Sequence, residues 1–260
     1  MKLLSFNGAA LAAALAIGNG AAQAGIAYNT NGWDSGDFPG ASGYLPGTWI
    51  GAATPVYAGS LNTLWFADLS AGTTETVSSG GAAAAGADPA YELAVGPKGW
   101  WNGTPSTPTK GMGHGSDVGL IKLATASDLT ITVSADSLTP ADATTVIKPG
   151  FSLFRGWDSG SAANQLQPYL HDQNNPLGTA SLTYLNGAGA SGASVSFLFS
   201  NLAAGDYTLI LGGNGGGGHG RYAVTFAAAE VAAPVPLPGA VWLFGSVLAA
   251  GAAVGKRERT

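Results

Sequence analysis

The chain has 260 residues, 15 carboxylates against 10 lysines and arginines, a formal charge of −5 and no cysteine. The missing thiol excludes disulfide scaffolds, thiolate metal sites and cysteine nucleophiles, and the dispersed acidic balance argues against nucleic acid as a partner. Between residues 25 and 234 the only glutamates are Glu75, Glu92 and Glu230, beside abundant Gly, Ala, Ser and Thr, so this body reads as strands and loops.

The N-terminus opens with Lys2, runs apolar from Leu3 to Ile17 and closes on Ala22-Gln23-Ala24. A charged start, an apolar middle and an A-x-A site predict a secretory signal peptide, cut after Ala24 by signal peptidase. The organisation expected is a signal peptide over 1–24, a β-sandwich body over 25–234 and a C-terminal sorting tail over 235–260. The body is long enough to bury a core without crosslinks.

Residues 25–60 are rich in Gly, Pro, Asn and Trp and predict loops with short edge strands. Thr63 to Leu69 reads as a mostly buried strand, with Glu75 to Ser78 pairing beside it. The Gly/Ala run 79–90 and the Gly/Pro/Thr run 96–116 read as loops. Clearer strands follow at Val118–Leu123, Leu129–Val133, Phe151–Phe154, Ser194–Phe199, Tyr207–Leu211 and Tyr222–Phe226, with a weaker one at Ala180–Leu185. Short strands separated by turn signals predict an all-β fold, a β-sandwich or jelly roll of two packed sheets with long Gly-rich loops. The segment NLAAGDYTLILGGNGGGGHGRYAVTF, residues 201–226, resembles the end of bacterial pre-peptidase C-terminal-type jelly rolls. That resemblance implies an accessory or binding sandwich without catalytic residues of its own.

The sequence carries no Gly-x-Ser-x-Gly elbow, no His-Glu-x-x-His and no Gly-x-x-x-x-Gly-Lys loop, so a non-enzymatic role is expected. Its three histidines are His114, His171 and His219, and Gly-His-Gly occurs at both 113–115 and 218–220. Glycine flanks leave an imidazole free of neighbouring bulk, which suits a copper or zinc site assembled from two loops. Asp117 and Asp172 lie near enough in sequence to add a carboxylate, and solvated loop histidines are the alternative. The run from Gly113 to Lys122 resembles methanotroph copper-binding surface proteins, which implies a site using two histidines and an oxidised tryptophan. Trp100 and Trp101 precede His114, but no Trp-x-His pair is present.

The run Gly212–Gly218 is similar to a calcium-binding glycine repeat, with Gly217 where that repeat carries aspartate. A flexible hairpin loop is the stronger reading, leaving calcium to loop carbonyls and Asp34, Asp37 or Asp158. Gly-Trp-Asp-Ser-Gly occurs at 32–36 and 156–160, a tryptophan followed by an Asp-Ser turn. Outside the tail the tryptophans are Trp33, Trp49, Trp65, Trp100, Trp101 and Trp157. They either stack on sugar rings or pin irregular segments onto the sandwich, with Trp65 expected in the core.

Val235-Pro236-Leu237-Pro238 continues neither helix nor strand, because both prolines lack a donor. From Gly239 to Val254 the chain has no charge, close to the lower limit of a membrane span, and the basic cluster Lys256, Arg257 and Arg259 follows. Proline motif, short apolar helix and basic end resemble the PEP-CTERM sorting signal of Gram-negative bacteria, with Leu237 where glutamate is usual. The resemblance implies an exosortase-type transpeptidase as partner and transit through the inner membrane. It also implies removal of the tail and delivery to the surface or the exopolysaccharide matrix. A permanent single-span anchor and a core helix are the alternatives. The expected function is thus structural or adhesive, at the cell surface or in the matrix. The alternative is a surface protein binding copper or another metal through His114 and His219, with His171 the remaining imidazole.

Overall fold

The computed structural model describes residues 25–29, 49–59, 63–86, 93–96, 116–136, 147–159, 181–214 and 220–232. In chain order these form β1 (Gly25–Asn29), β2 (Trp49–Gly51), β3 (Trp65–Leu69), β4 (Thr74–Val77), α1 (Ser79–Ala85), β5 (Ala94–Val95) and β6 (Asp117–Leu123). β7 (Ser127–Ala135), β8 (Pro149–Arg155), β9 (Thr183–Gly189), β10 (Ser194–Leu202), β11 (Gly205–Gly213) and β12 (Gly220–Glu230) complete them. They make an all-β sandwich of two sheets. One is seven-stranded in the order β2-β1-β3-β6-β11-β8-β9, and the other is five-stranded, β10-β7-β12-β4 with β5 beside β12.

Each pairing is antiparallel except β3 with β6, which run parallel with Trp65 opposite Gly119. The core lies between the sheets. Trp65, Ile121, Leu123, Phe151, Leu153, Leu209 and Leu211 from one meet Leu129, Ile131, Val133, Tyr222, Val224 and Phe226 from the other. Tyr207 begins the buried part of β11, and its hydroxyl donates to the Ala203 carbonyl at 2.6 Å, tying the turn before the strand to the strand itself.

The strands alternate differently in the two sheets. β7 and β12 alternate buried and half-buried positions along most of their length, as a sheet with one solvated face should. β6, β8 and β11 are buried at nearly every position. The outward residues of the seven-stranded sheet form two further clusters, Ala27, Phe66 and Leu120 with Trp49, Ala53, Tyr57 and Trp157, and Val118, Phe154, Leu182 and Ile210 with Tyr57 and Tyr184. Residues 52–59, which follow β2, and residues 156–159 therefore lie across that sheet as a second layer.

Three expectations need correction. The Gly/Ala run 79–90 is not all loop, because α1 occupies Ser79–Ala85. Ser78 caps it by accepting from the Gly81 amide at 3.0 Å, and Gly86 ends it at φ 86°. Alanine costs no side-chain entropy in a helix, and this outweighed a composition otherwise poor in helix formers. Second, of the two short strands within 25–60, β2 lies at the sheet edge as expected, but β1 does not, since β2 and β3 flank it. Third, the weak strand expected at Ala180–Leu185 starts at Thr183 and runs on to Gly189, with Ser181 before it at φ 78°. The expected signal peptide, the C-terminal transmembrane helix, and sorting residues Val235, Pro236, Leu237, Pro238, Lys256, Arg257 and Arg259 lie outside the described residues, as do Ala22 and Ala24. Among the described residues no helix is long and apolar enough to cross a membrane.

Candidate functional site

β6 and β12 start at the same end of the sandwich, and their first inward residues build a polar cluster between the sheets. Asp117 opens β6, and two positions on Gly119 faces the indole of Trp65. A Cβ on Gly119 would stand 2.0 Å from Trp65 Cζ2, so this position has room for the indole only as glycine. The Trp65 Nε1–H donates to the Tyr222 hydroxyl at 3.0 Å, and that hydroxyl also hydrogen-bonds the Asp117 carboxylate. Trp65 and Tyr222 are fully buried and Asp117 nearly so. Burial holds the Tyr222 phenol well above its ordinary value, and the nearby Asp117 charge and its hydrogen bond push the same way. Tyr28 lies close by and accepts from the Ser78 amide at 3.3 Å, linking the cluster to the cap of α1. Its phenol is raised too, by burial, with the Ser78 bond opposing. The cluster is a donor–acceptor chain that runs from the Trp65 indole through the Tyr222 hydroxyl to the Asp117 carboxylate, an arrangement that ties β3, β6 and β12 together.

His114, His171 and His219 all lie outside the described residues, as do Trp33, Trp100, Trp101, Asp34, Asp37 and Asp172. The nearest described neighbours of two of them are Ser116, just before β6, and Gly220, which opens β12. Gly220 pairs with Val95, and Gly96 next to it accepts from the amide of Gly213, where β11 ends opposite the start of β8. Among the described residues no group of three or more His, Cys, Asp or Glu gathers to hold a metal. Asp158, a candidate for calcium, is buried and accepts from the Tyr57 hydroxyl at 2.8 Å.

The described tryptophans serve packing. Trp65 is in the core, as expected. Trp157 packs against the outer face of the seven-stranded sheet. Its Nε1–H is shared between the carbonyls of Ile121, at 3.2 Å, and Tyr207, at 3.1 Å. Its ring meets Phe66 and Tyr57 edge-on, at centroid distances of 5.8 and 6.2 Å. Gly156 makes the corner at φ 95°, where a Cβ would meet the Ser181 carbonyl oxygen at 2.2 Å. Of the repeated Gly-Trp-Asp-Ser-Gly motif, the second copy is thus a peg that holds a loop on the sheet.

Sequence reasoning passed over the outer face of the five-stranded sheet. Ser196, Thr132, Thr225 and Thr76 stand opposite one another in register across β10, β7, β12 and β4. The pairs Thr132–Ser196 and Thr76–Thr225 are hydrogen-bonded at 2.9 and 3.1 Å on the exposed side. Leu-Thr-Ile-Thr-Val in β7 and Tyr-Ala-Val-Thr-Phe in β12 carried that signal, a hydroxyl at alternate positions.

No family model matches the chain, and no curated protein matches it. Among the solved structures similar to it are two of bacterial proteins. One is CorA, a surface-associated copper-binding protein important in Methylomicrobium album BG8 copper acquisition, at 12% identity and a TM-score of 0.34, covering 63% of this chain and 99% of that one. The other is the pre-peptidase C-terminal domain of collagenase from Bacillus anthracis, at 16% identity and a TM-score of 0.29, covering 62% of this chain and 93% of that one. At these scores and identities neither likeness transfers a site or a function.

Proposed function

We propose that this chain is an exported, non-catalytic β-sandwich of the cell surface or extracellular matrix, with a structural or adhesive role. Its delivery relies on signal peptidase at Ala24 and an exosortase-type enzyme at the tail beginning Val235. One observation carries the adhesive part: one sheet is coated on its outer face by its own loops while the other presents a wide face of short hydroxyl side chains. Trp65, Tyr222 and Asp117 are hydrogen-bonded in series, and Tyr57 is hydrogen-bonded to Asp158, which suits a supporting role for these polar groups.

The test is deletion of the gene in its host, with fractionation and terminal mass analysis of the wild-type protein. The expected result is a surface or matrix protein starting at Gly25 and lacking the tail, and a mutant matrix that disperses at lower shear. A cytoplasmic protein with both termini intact would overturn the reading.

A second reading, a metal site using His114 and His219 with copper preferred, is favoured by one feature. Asp117 and Tyr222, each three positions after one of these histidines, share a hydrogen bond. The described strands that follow the two histidines in sequence, β6 and β12, thus begin at one end of the sandwich. Metal analysis of protein from its host, against His114→Ala/His219→Ala, tests it. Unchanged copper, zinc and calcium content in the double variant would remove it.

A further inference from the structure

We infer that the outer face of the five-stranded sheet is a docking surface for a neutral, hydroxyl-bearing polysaccharide, with the Ser196–Thr132–Thr225–Thr76 rank as its centre. The inference deepens the adhesive reading above and rests on it. Three ranks cross this face in register. Leu198, Thr130, Ala227 and Thr74 flank the central rank on one side, and Ser194, Ser134 and Ala223 flank it on the other. Neighbouring strands lie about 4.8 Å apart and alternate residues about 6.7 Å apart, so the central rank is an array roughly 14 Å wide.

Three properties select the partner. The first is charge. These ranks contain no ionisable side chain in a chain whose formal charge is −5, and the described charges at outward positions stand at the ends, Arg221 beside Asp136 at one and Asp128 at the other. Asp128 is engaged at its end by the Asn201 amide at 2.6 Å. A cationic peptide finds no partner there, and an anionic polymer meets the repulsion of the whole chain. The second is polarity. Leu198 is the large exposed apolar side chain among these ranks, whereas a stable interface between two copies needs an apolar centre. The third is order. Threonine is stiff at χ1, and the two hydrogen-bonded pairs fix the hydroxyls further before anything binds. A hydroxyl has one donor and two acceptor lone pairs, so each pair still presents both functions to solvent. Pre-ordered donors and acceptors reduce the entropy lost on binding. A neutral polymer with its own hydroxyls exchanges hydrogen bonds with such a rank, and many weak contacts along one chain add up.

The test uses the full chain purified from its host, co-sedimented with cellulose and curdlan as neutral glucans and with calcium-crosslinked alginate as the anionic probe. The expected result is retention on a neutral glucan and not on alginate. Thr132→Val/Thr225→Val should weaken retention about tenfold, while Thr132→Ser/Thr225→Ser retains it and Tyr57→Phe, on the opposite sheet, leaves it unchanged. The serine pair reads the hydroxyls even where the valine pair alters folding. Equal retention of the valine pair and wild type, or retention on alginate alone, overturns the proposal. Failure to bind either polymer by a protein that fractionates to the surface overturns this docking face and leaves the adhesive location standing.

Discussion

On the seven-stranded sheet the outward residues Phe66, Leu120, Phe154 and Thr208 are as buried as the inward ones, because the Trp49 side chain, residues 52–59 and 156–159, and Leu182 cover them. On the five-stranded sheet the outward residues of β7 and β12 are half-buried by their neighbours and otherwise solvated. The same strand chemistry thus ends in two environments, and the difference lies in the loops. Glycine- and tryptophan-rich segments that carry little periodicity of their own serve as a coat for one sheet. Apart from Leu198, the described outward residues of the bare sheet's three central ranks are short side chains, which need no such coat.

The largest expected effect comes from one substitution made on both faces. Thr208 is fully buried and donates to the Gly156 carbonyl at 2.8 Å, under the Trp157 corner. Thr208→Lys places an unpaired ammonium beneath the coat and should cost at least about 4 kcal/mol, enough to unfold many domains. Thr132→Lys, outward on β7, should change stability by no more than roughly 0.5 kcal/mol. Chemical denaturation of both variants measures the contrast, and similar losses would mean that the two faces are equally covered.

Next in size is Gly119→Ala. The added methyl collides with an indole that is buried on every side and hydrogen-bonded to Tyr222, so neither group can yield cheaply. A loss of about 3 kcal/mol is expected, and Gly119→Ala with Trp65→Leu should cost less than the sum of the two single changes. Additive losses would show that the indole does not occupy the glycine's space.

These two positions also show what the sequence conveys. Strand identity, the sandwich and the burial of Trp65 follow from alternation and composition, because inward residues are chosen for apolarity and outward ones on a bare sheet for solvation. β6 and β8 carry apolar residues on both faces, which by itself announces a second covering layer but not which loop supplies it. Gly119 reads as an ordinary strand glycine until Trp65 stands opposite it, and a parallel contact between residues 54 positions apart has no local signature. α1 was hidden for the opposite reason, since a seven-residue Gly/Ala helix depends on its caps and on Tyr28 more than on periodicity. The rank of hydroxyls was present as alternating threonines, yet alignment across four strands is a property of register, which single strands do not encode.

A smaller loss is expected for Tyr222→Phe. The change leaves the buried Trp65 Nε1–H without its acceptor and takes one hydrogen bond from Asp117, at a cost of about 1–3 kcal/mol. The ring remains, so packing against the core is kept and the loss reports the polar strut alone. A neutral outcome in thermal unfolding would mean that water replaces the hydroxyl, and this end of the sandwich would then be open.

The smallest effect tests where the coat on the seven-stranded sheet runs out. At the end opposite Asp117, Asp68, Lys122 and Asp206 stand in one rank across β3, β6 and β11. Burial raises both carboxyl groups above their ordinary value, and the Lys122 charge opposes this without cancelling it. A raised carboxyl favours the neutral form in the folded state. Its stabilising contribution is therefore fully present below the unfolded value, near pH 4, and is lost as pH rises through the folded value. Above their folded values both groups are ionised at a net penalty, which Asp68→Asn/Asp206→Asn removes. The double variant should melt slightly higher than the wild type at pH 7, with the gap closing toward pH 4. If the variant melts lower at pH 7, the attraction to Lys122 outweighs dehydration. That rank would then be as solvated as the bare face of the other sheet.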